Sequence, residues 1–237
     1  ASGDQGQAIG ACYLGHKNKY PNFKFDNSNN YYLGSSFSKT FIKKTLLKFE
    51  KKILFEDLKN RIFDKTAKLI SNGKIIAWFQ GKAEFGPRAL GNRSILCKPY
   101  PIAMKDYINK RVKFREPFRP FAPAVLEEFQ SIFFESSKKT FHMLYATKVK
   151  KKFNKKIEAV IHKDLTARVQ TVNKEVNPRF YELINQFYKI TNTPILLNTS
   201  FNIKGQPIIN NPEQAIESLL STKIDYLVMN DYLIKKK

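Results

Sequence analysis

The sequence predicts an α/β domain: a twisted mixed sheet flanked by helices, preceded by a tail of different character. Short apolar runs bounded by Gly or Pro, "KIIAWFQ" (74–80) and "PILLNTS" (194–200), have the length of buried strands. Between such runs lie amphipathic repeats. The clearest is "PRFYELINQFYKI" (178–190), where Phe180, Leu183, Ile184, Phe187 and Tyr188 share one helical face. Strands and helices alternate from residue 74 onward, the pattern of a layered α/β fold.

Residues 1–20, "ASGDQGQAIGACYLGHKNKY", read as the end of another domain, with small residues recurring as in a closely packed helix. The chain starts without Met, which reads as a piece excised from a longer one. Residues 21–37 are polar, aromatic and turn-rich, a linker or surface arm. The domain proper, 38–237, begins with a helix capped by Ser38, with Phe41 or Ile42, Leu46, Phe49 and Ile53 at helical spacing. A second helix is predicted over 56–71, stopped by "SNG". After the strand 74–80 comes a helix over 101–112, opened by a proline. "FAPAVLEE" (121–128), "FHMLYATKV" (141–149) and the strictly alternating "TARVQTV" (166–172) read as strands. "NPEQAIESLL" (211–220) is a helix with Asn211 as cap and Pro212 in its first turn. "YLVMNDYLI" (226–234) reads as one closing strand.

Composition bounds the function. The 237 residues carry 42 Lys and Arg against 20 Asp and Glu, a net charge of +22, which implies anionic partners: nucleotides, nucleic acid or acidic surfaces. No apolar run is long enough for a transmembrane helix and no secretory signal is evident, so a cytoplasmic location away from membranes is expected. Cys12 and Cys97 read as reduced thiols, and His16, His142 and His162 lack metal-ligand spacing. Only 8 of the cations are arginines, and five of those (Arg88, Arg93, Arg111, Arg115, Arg119) fall between 88 and 119. Where lysine is the default, clustered guanidinium forks point to bidentate grip on phosphate or carboxylate. "KVKKKFNKKIE" (148–158), in contrast, reads as a solvated loop.

Three segments place polar groups at strand ends, where open α/β sheets bind ligands. "EFGPRALGNRS" (84–94) offers Arg88, Arg93 and flexible glycines, either as an anion loop or as a tight structural turn. "KFREPFRPFAP" (113–123) alternates Lys113, Arg115 and Arg119 with phenylalanines on a proline-stiffened path, which suits a nucleotide or an RNA strip. "LLNTSFN" (196–202) supplies the hydroxyls of Thr199 and Ser200 and the amides of Asn198 and Asn202. These orient a phosphate or a planar carbamoyl-type amide, or form an ordinary polar turn. Arg168, on the alternating strand, either pairs with an acid or enters a ligand site.

Taken together, "IIAWFQGKAEFGPRALGNRSILCKP", "MKDYINKRVKFREPFRPFAPAVLEE", "TARVQTV", "NPRFY" and "PILLNTSFNIKGQPI" resemble the C-terminal domain of the O-carbamoyltransferases that modify nodulation factors and antibiotics. That domain is similar to the YrdC-like nucleotide-binding domains, whose Lys-x-Arg and Ser-x-Asn signatures match Lys113 to Arg115 and Ser200 to Asn202. The resemblance implies a YrdC-like twisted mixed sheet that binds ATP, Mg2+ and carbamoyl phosphate and forms carbamoyl-adenylate. An N-terminal transferase domain of the actin-like superfamily then passes the carbamoyl group to a hydroxyl of a sugar or natural-product acceptor. By motif, Arg88, Lys113, Arg168 and Ser200 hold carbamoyl phosphate or the adenylate, with Arg93, Arg115, Arg119, Thr199 and Asn202 as neighbours in the same cavity. "SGDQGQAIGACYL" resembles the last helical segment of the transferase domain. Asp4 there matches a ligand of that domain's metal ion, whose other ligands lie upstream.

Two departures stand out. The family's "His-Val-Asp-Gly" is "HKDL" here, with Lys163 and Leu165, and its "GEPI" is "GQPI", with Gln206 replacing a carboxylate. The alternative from another class is an RNA-binding module related to tRNA-modifying YrdC proteins. Catalysis predicts arginines converging on one pocket, whereas RNA binding predicts a broad lysine stripe with exposed aromatics.

Overall fold

The structure, a computed structural model, describes residues 4–24 and 31–237. Helix α1 (Asp4–Lys19) precedes α2 (Lys39–Lys48), where the Ser38 hydroxyl accepts the Phe41 N–H as predicted. There follow β1 (Ile53–Asp57), α3 (Ile62–Ser71), β2 (Ile76–Phe79), β3 (Arg93–Cys97), α4 (Ala103–Ile108) and β4 (Ala122–Leu126). The second half adds α5 (Gln130–Phe133), β5 (Ala146–Lys148), β6 (Thr166–Arg168), β7 (Gln170–Val172), α6 (Pro178–Thr191) and β8 (Ile195–Ser200). It closes with α7 (Pro212–Ser221), β9 (Tyr226–Met229) and β10 (Tyr232–Lys236).

Eight strands form one mixed sheet in the order β1-β10-β9-β2-β3-β8-β4-β7. The pairs β2–β9 and β4–β7 are parallel and the rest antiparallel. Period-two alternation feeds two cores. On β2, Ala77 and Phe79 face α2 and α7 through Ile42, Leu46, Ile216 and Leu219, whereas Ile76 and Trp78 face α3 and α6 through Ile62, Ile70, Phe180 and Phe187. The sheet is thus covered on both faces, the twisted mixed sheet flanked by helices that was expected.

Several elements differ from the sequence reading. Residues 53–57 form edge strand β1 paired to β10, so the first helix ends at Lys48 and the second starts at Ile62. "TARVQTV" splits at Val169: β6 pairs with β5 in a separate two-stranded sheet, while β7 joins β4. The closing strand is a β9–β10 hairpin that turns at Asn230, whose φ is 50°. The lysine-rich 148–158 stretch is anchored by buried Val149 and Ile157 and by Phe153 stacked on Phe133 at 4.2 Å, while Lys151, Lys152 and Lys155 stay exposed. In the expected linker, Tyr31 and Tyr32 are buried, and backbone hydrogen bonds from Gly34 N–H to the Ala83 carbonyl and from Ala83 N–H to the Ser35 carbonyl join the 31–37 arm to the 81–92 loop. Residues 25–30 lie outside the described residues. Among the described residues no helix is long and apolar enough to cross a membrane.

Candidate anion-binding cleft

Antiparallel pairing brings the end of β2, the start of β3, the end of β8 and the start of β4 to one edge of the sheet, through Phe79↔Arg93, Ser94↔Ser200 and Ala122↔Asn198. The three candidate segments meet there.

The 81–93 loop is held from within by Glu84. One carboxylate oxygen accepts the backbone N–H groups of Leu90 (2.7 Å), Asn92 (2.7 Å) and Arg93 (3.2 Å). Burial pushes this carboxyl above its ordinary range, opposed by those N–H bonds. From outside, Gln170 Nε2 and the Tyr32 hydroxyl both donate to the Leu90 carbonyl, and Asn198 Nδ2 donates to that of Ala89. Gly91 has φ 105°, and a Cβ there would lie 2.2 Å from the Phe180 ring. This glycine makes room for the core, not for a ligand.

Arg93 corrects the sequence expectation. It is completely buried, with its guanidinium donating to the carbonyls of Gln80 (2.7 Å), Asn92 (3.0 Å), Ser35 (3.0 Å) and Gly81 (3.2 Å) and lying 3.7 Å from the Phe79 ring centroid. It lines no part of the cleft; it ties the 31–37 arm to the β2–β3 turn. Arg88, from the same segment, is exposed and does line it.

The second segment leaves α4 through a π-helical turn, Asn109–Lys113, stopped by Phe114 in the left-handed region (φ 49°). The wide turn swings Lys113 inward and leaves Phe114 and Phe118 exposed. Buried Asn109 fixes the path of residues 115–119. Its Nδ2 donates to the Pro117 and Arg119 carbonyls, and its Oδ1 accepts Arg115 Nε at 2.8 Å. Arg115 stacks 4.8 Å from the Phe121 ring, and Arg119 pairs with Glu116 at 3.0 Å. Phe121 is a core anchor, whereas Phe114 and Phe118 are exposed to solvent.

Lys113 reaches the third segment. Its Nζ donates to the Ser200 carbonyl (2.8 Å) and hydroxyl (3.2 Å) and to the Asn202 carbonyl (2.8 Å) and Oδ1 (2.6 Å), while the Ser200 hydroxyl donates to Asn202 Oδ1 at 2.7 Å. Burial, with the Arg115 charge nearby, pushes Lys113 down to about 7.

Two adjoining cavities result. A small one of about 80 Å³ is lined by Arg88, Arg115, Arg168, Asn198, Thr199 and Ser200, and a larger one of about 340 Å³ by Lys113, Arg115, Arg119, Ser200, Asn202 and Lys204. Arg115 and Ser200 border both. The small cavity has no carboxylate among its lining residues. Among the described residues Arg88 and Arg168 form no salt bridge, and Arg168 Nε is buried without a partner. Burial and the facing Arg88 push Arg168 down, and burial with Arg119 and Arg168 pushes Arg115 down to about 10. Cations held together at such cost form a site complementary to an anion.

Of the other sequence-selected positions, Leu165 and Gln206 line neither cavity. Asp4 opens α1, and its side chain lies outside the described residues. Gln206 is exposed, and its backbone carbonyl accepts Asn202 Nδ2 at 2.7 Å. Leu165 stands at φ 63°, a left-handed position where the family's glycine is unstrained, and Asp164 closes that turn through the Thr166 N–H and hydroxyl. Glu84 and Asn109 are residues sequence reasoning missed. Both act on backbone groups, which leave no mark in a charge pattern.

Residues 67–236 match the family described as Carbamoyltransferase C-terminus. The chain is 40% identical over 240 residues to an uncharacterized protein of Methanocaldococcus jannaschii, covering 100% of this chain and 39% of that protein. It is 48% identical over 179 residues to nodulation protein NolNO of Sinorhizobium fredii, covering 74% of this chain and 26% of the relative. It is 35% identical over 169 residues to the 3'-hydroxymethylcephem-O-carbamoyltransferase of Amycolatopsis lactamdurans, covering 71% and 32%. The chain thus spans well under half the length of these relatives. Among solved structures the fold is similar to T. kodakarensis HypF (TM-score 0.53, 20% identity, 78% of this chain and 23% of that one). It is also similar to a full-length HypF in the phosphate- and nucleotide-bound form (TM-score 0.51, 19% identity, 72% and 25%).

Proposed function

The chain belongs to the carbamoyltransferase C-terminal family, and from that premise we propose that its cleft binds ATP and carbamoyl phosphate and forms carbamoyl-adenylate. The observation that carries this reading is the convergence of Arg88, Arg115 and Arg168 on one small cavity without a carboxylate, which shares Arg115 and Ser200 with a larger cleft. The phosphate- and nucleotide-bound state named for one HypF structure supports it.

In this reading the small cavity takes carbamoyl phosphate against Arg88, Arg168 and Ser200. Thr199 lies beside the carbamoyl phosphate, Arg115 borders both ligands, and Lys113, Arg119 and Asn202 border the nucleotide. Atom balance requires one water. It cleaves carbamoyl phosphate to carbamate and inorganic phosphate; a carbamate oxygen then bonds the α-phosphorus of ATP, and the α–β bridging P–O bond breaks to release pyrophosphate. No protein nucleophile is needed: the work is to position anions and neutralise charge developing on phosphoryl oxygens. No cluster of metal-ligating side chains exists among the described residues, and Glu116, the carboxylate bordering the larger cavity, is paired with Arg119. Mg2+ would therefore be carried on the triphosphate, shielding its charge. Transfer to a hydroxyl acceptor, and the metal ion that Asp4 would help ligate, belong to an N-terminal transferase domain acting with this one in the cytoplasm.

Calorimetry with ATP, Mg2+ and carbamoyl phosphate tests the reading, combined with mass spectrometry for carbamoyl-adenylate. Binding is expected in the wild-type chain and loss of it in Arg88→Ala and Lys113→Ala, each verified as folded. A folded chain that ignores nucleotide but binds RNA in a salt-sensitive way, using exposed Phe114 and Phe118, overturns it.

A further inference from the structure

One residue lining the small cavity carries a polar atom unlike its neighbours. Asn198, on β8, is 1% exposed, and its Nδ2 donates to the Ala89 carbonyl (3.1 Å) and to Gln170 Oε1 (2.7 Å). Both acceptors are fixed. Ala89 offers a backbone oxygen, and Gln170 commits its own Nε2 to the Leu90 carbonyl at 2.8 Å. The partners therefore set the orientation of the Asn198 amide, and Oδ1 is the atom left over, buried with no hydrogen-bond partner. A buried acceptor without a donor is costly and calls for a partner that completes it.

Its surroundings narrow that partner. The cavity's charged groups, Arg88, Arg115 and Arg168, only donate, and Arg168 Nε is itself unpartnered. The Ser200 hydroxyl is engaged with Lys113 and Asn202, and the Thr199 hydroxyl can turn to donate or accept. The complementary ligand is small, anionic at one end, and bears an N–H donor. The donor must lie within about one hydrogen-bond length of a strand residue next to the anion site.

We propose that Asn198 Oδ1 accepts a hydrogen bond from the –NH2 of the carbamoyl group and is the residue by which the site distinguishes carbamoyl phosphate from acyl phosphates of the same shape. This rests on the proposed role of the cleft in binding carbamoyl phosphate. Acetyl phosphate has the same charge and nearly the same outline, with a methyl group where carbamoyl phosphate has its amine. It satisfies the arginines and leaves Oδ1 unpaired. Sites built to pair a buried polar group reject the analogue that lacks it far more strongly than sites that only measure size.

The test compares the two acyl phosphates by calorimetry on the full chain. Wild type is expected to bind carbamoyl phosphate about tenfold or more tightly than acetyl phosphate. In Asn198→Leu the ratio is expected to fall close to one, through loss of carbamoyl phosphate affinity alone. If Asn198 only supports the Ala89 backbone, the variant weakens both ligands alike and keeps the ratio, and the proposal falls. Equal binding of the two ligands by wild type also overturns it, while leaving the phosphate site standing. Binding of neither ligand by folded wild-type chain overturns the cleft reading and this proposal together. Asn198→Thr, whose β-branched side chain suits a strand and is too short to reach, carries the same expectations should the leucine variant not fold.

Discussion

Arg88 and Arg93 stand in one short glycine-rich segment, and the fold gives them opposite duties. Arg93 starts β3, is fully buried and spends its fork on four backbone carbonyls. Arg88 sits in the loop before it, exposed beside a cavity, facing Arg168 rather than an acid. The comparison separates two meanings of an arginine in a lysine-rich chain. A guanidinium surrounded by the protein's own oxygens is a structural strut, and a guanidinium surrounded by other guanidiniums is waiting for an anion.

The largest effect that sharpens this contrast is on stability. Arg93→Ala takes a donor from four carbonyls, of which those of Ser35 and Asn92 keep a backbone N–H, and removes a cation stacked on Phe79, so it is expected to destabilise the chain by about 3–5 kcal/mol. Arg93→Lys restores the charge but not the fork and should recover only part of it. Arg88→Ala is expected to stay within about 0.5 kcal/mol of wild type in the same denaturant titration. Equal destabilisation by the two alanine variants would break the distinction.

Next comes affinity. Arg168→Ala removes a half-buried cation whose Nε has no partner, so stability should hold or rise slightly. Binding of inorganic phosphate or carbamoyl phosphate should weaken by roughly 10- to 100-fold, the scale of a charge-assisted hydrogen bond. A loss of stability without loss of binding would make Arg168 a strut like Arg93.

The sequence reveals some of this and hides the rest for identifiable reasons. The strands that feed both cores, such as 76–79 and 195–200, are legible because the first is apolar throughout and the second opens on Ile195, Leu196 and Leu197 after a proline. So is α7, whose Asn211 and Gln214 form a reciprocal cap. Strand β1 is not, because "ILFED" continues the spacing of the helix before it and takes its shape from pairing with β10, most of the chain away. Strand β3 is hidden because its first residue looks like part of a ligand loop. The duty of Arg93 depends on the Ser35 and Gly81 carbonyls, and backbone oxygens have no signature in side-chain chemistry. Lys113, Arg115, Ser200 and Asn202 are legible as a set only through the family resemblance; their contact is a consequence of β8 ending beside a π-helical turn.

The smallest expected effect is a pH dependence that asks on which side of the comparison Lys113 belongs. Its four oxygen partners are those of a strut, yet burial and Arg115 push it down to about 7, so near neutrality the unliganded site holds it only partly charged. An anion in the cleft favours the ammonium form and raises that value. Below pH 7 the lysine is already protonated and affinity is flat; above it, binding must take up a proton, so affinity falls as pH rises, by at most about tenfold per unit. Calorimetry at pH 8 in two buffers of different ionisation enthalpy should register uptake approaching one proton, absent in a folded Lys113→Met. No uptake by wild type would mean that the Ser200 and Asn202 oxygens hold Lys113 fully charged without a ligand, which would place it with Arg93 among the struts.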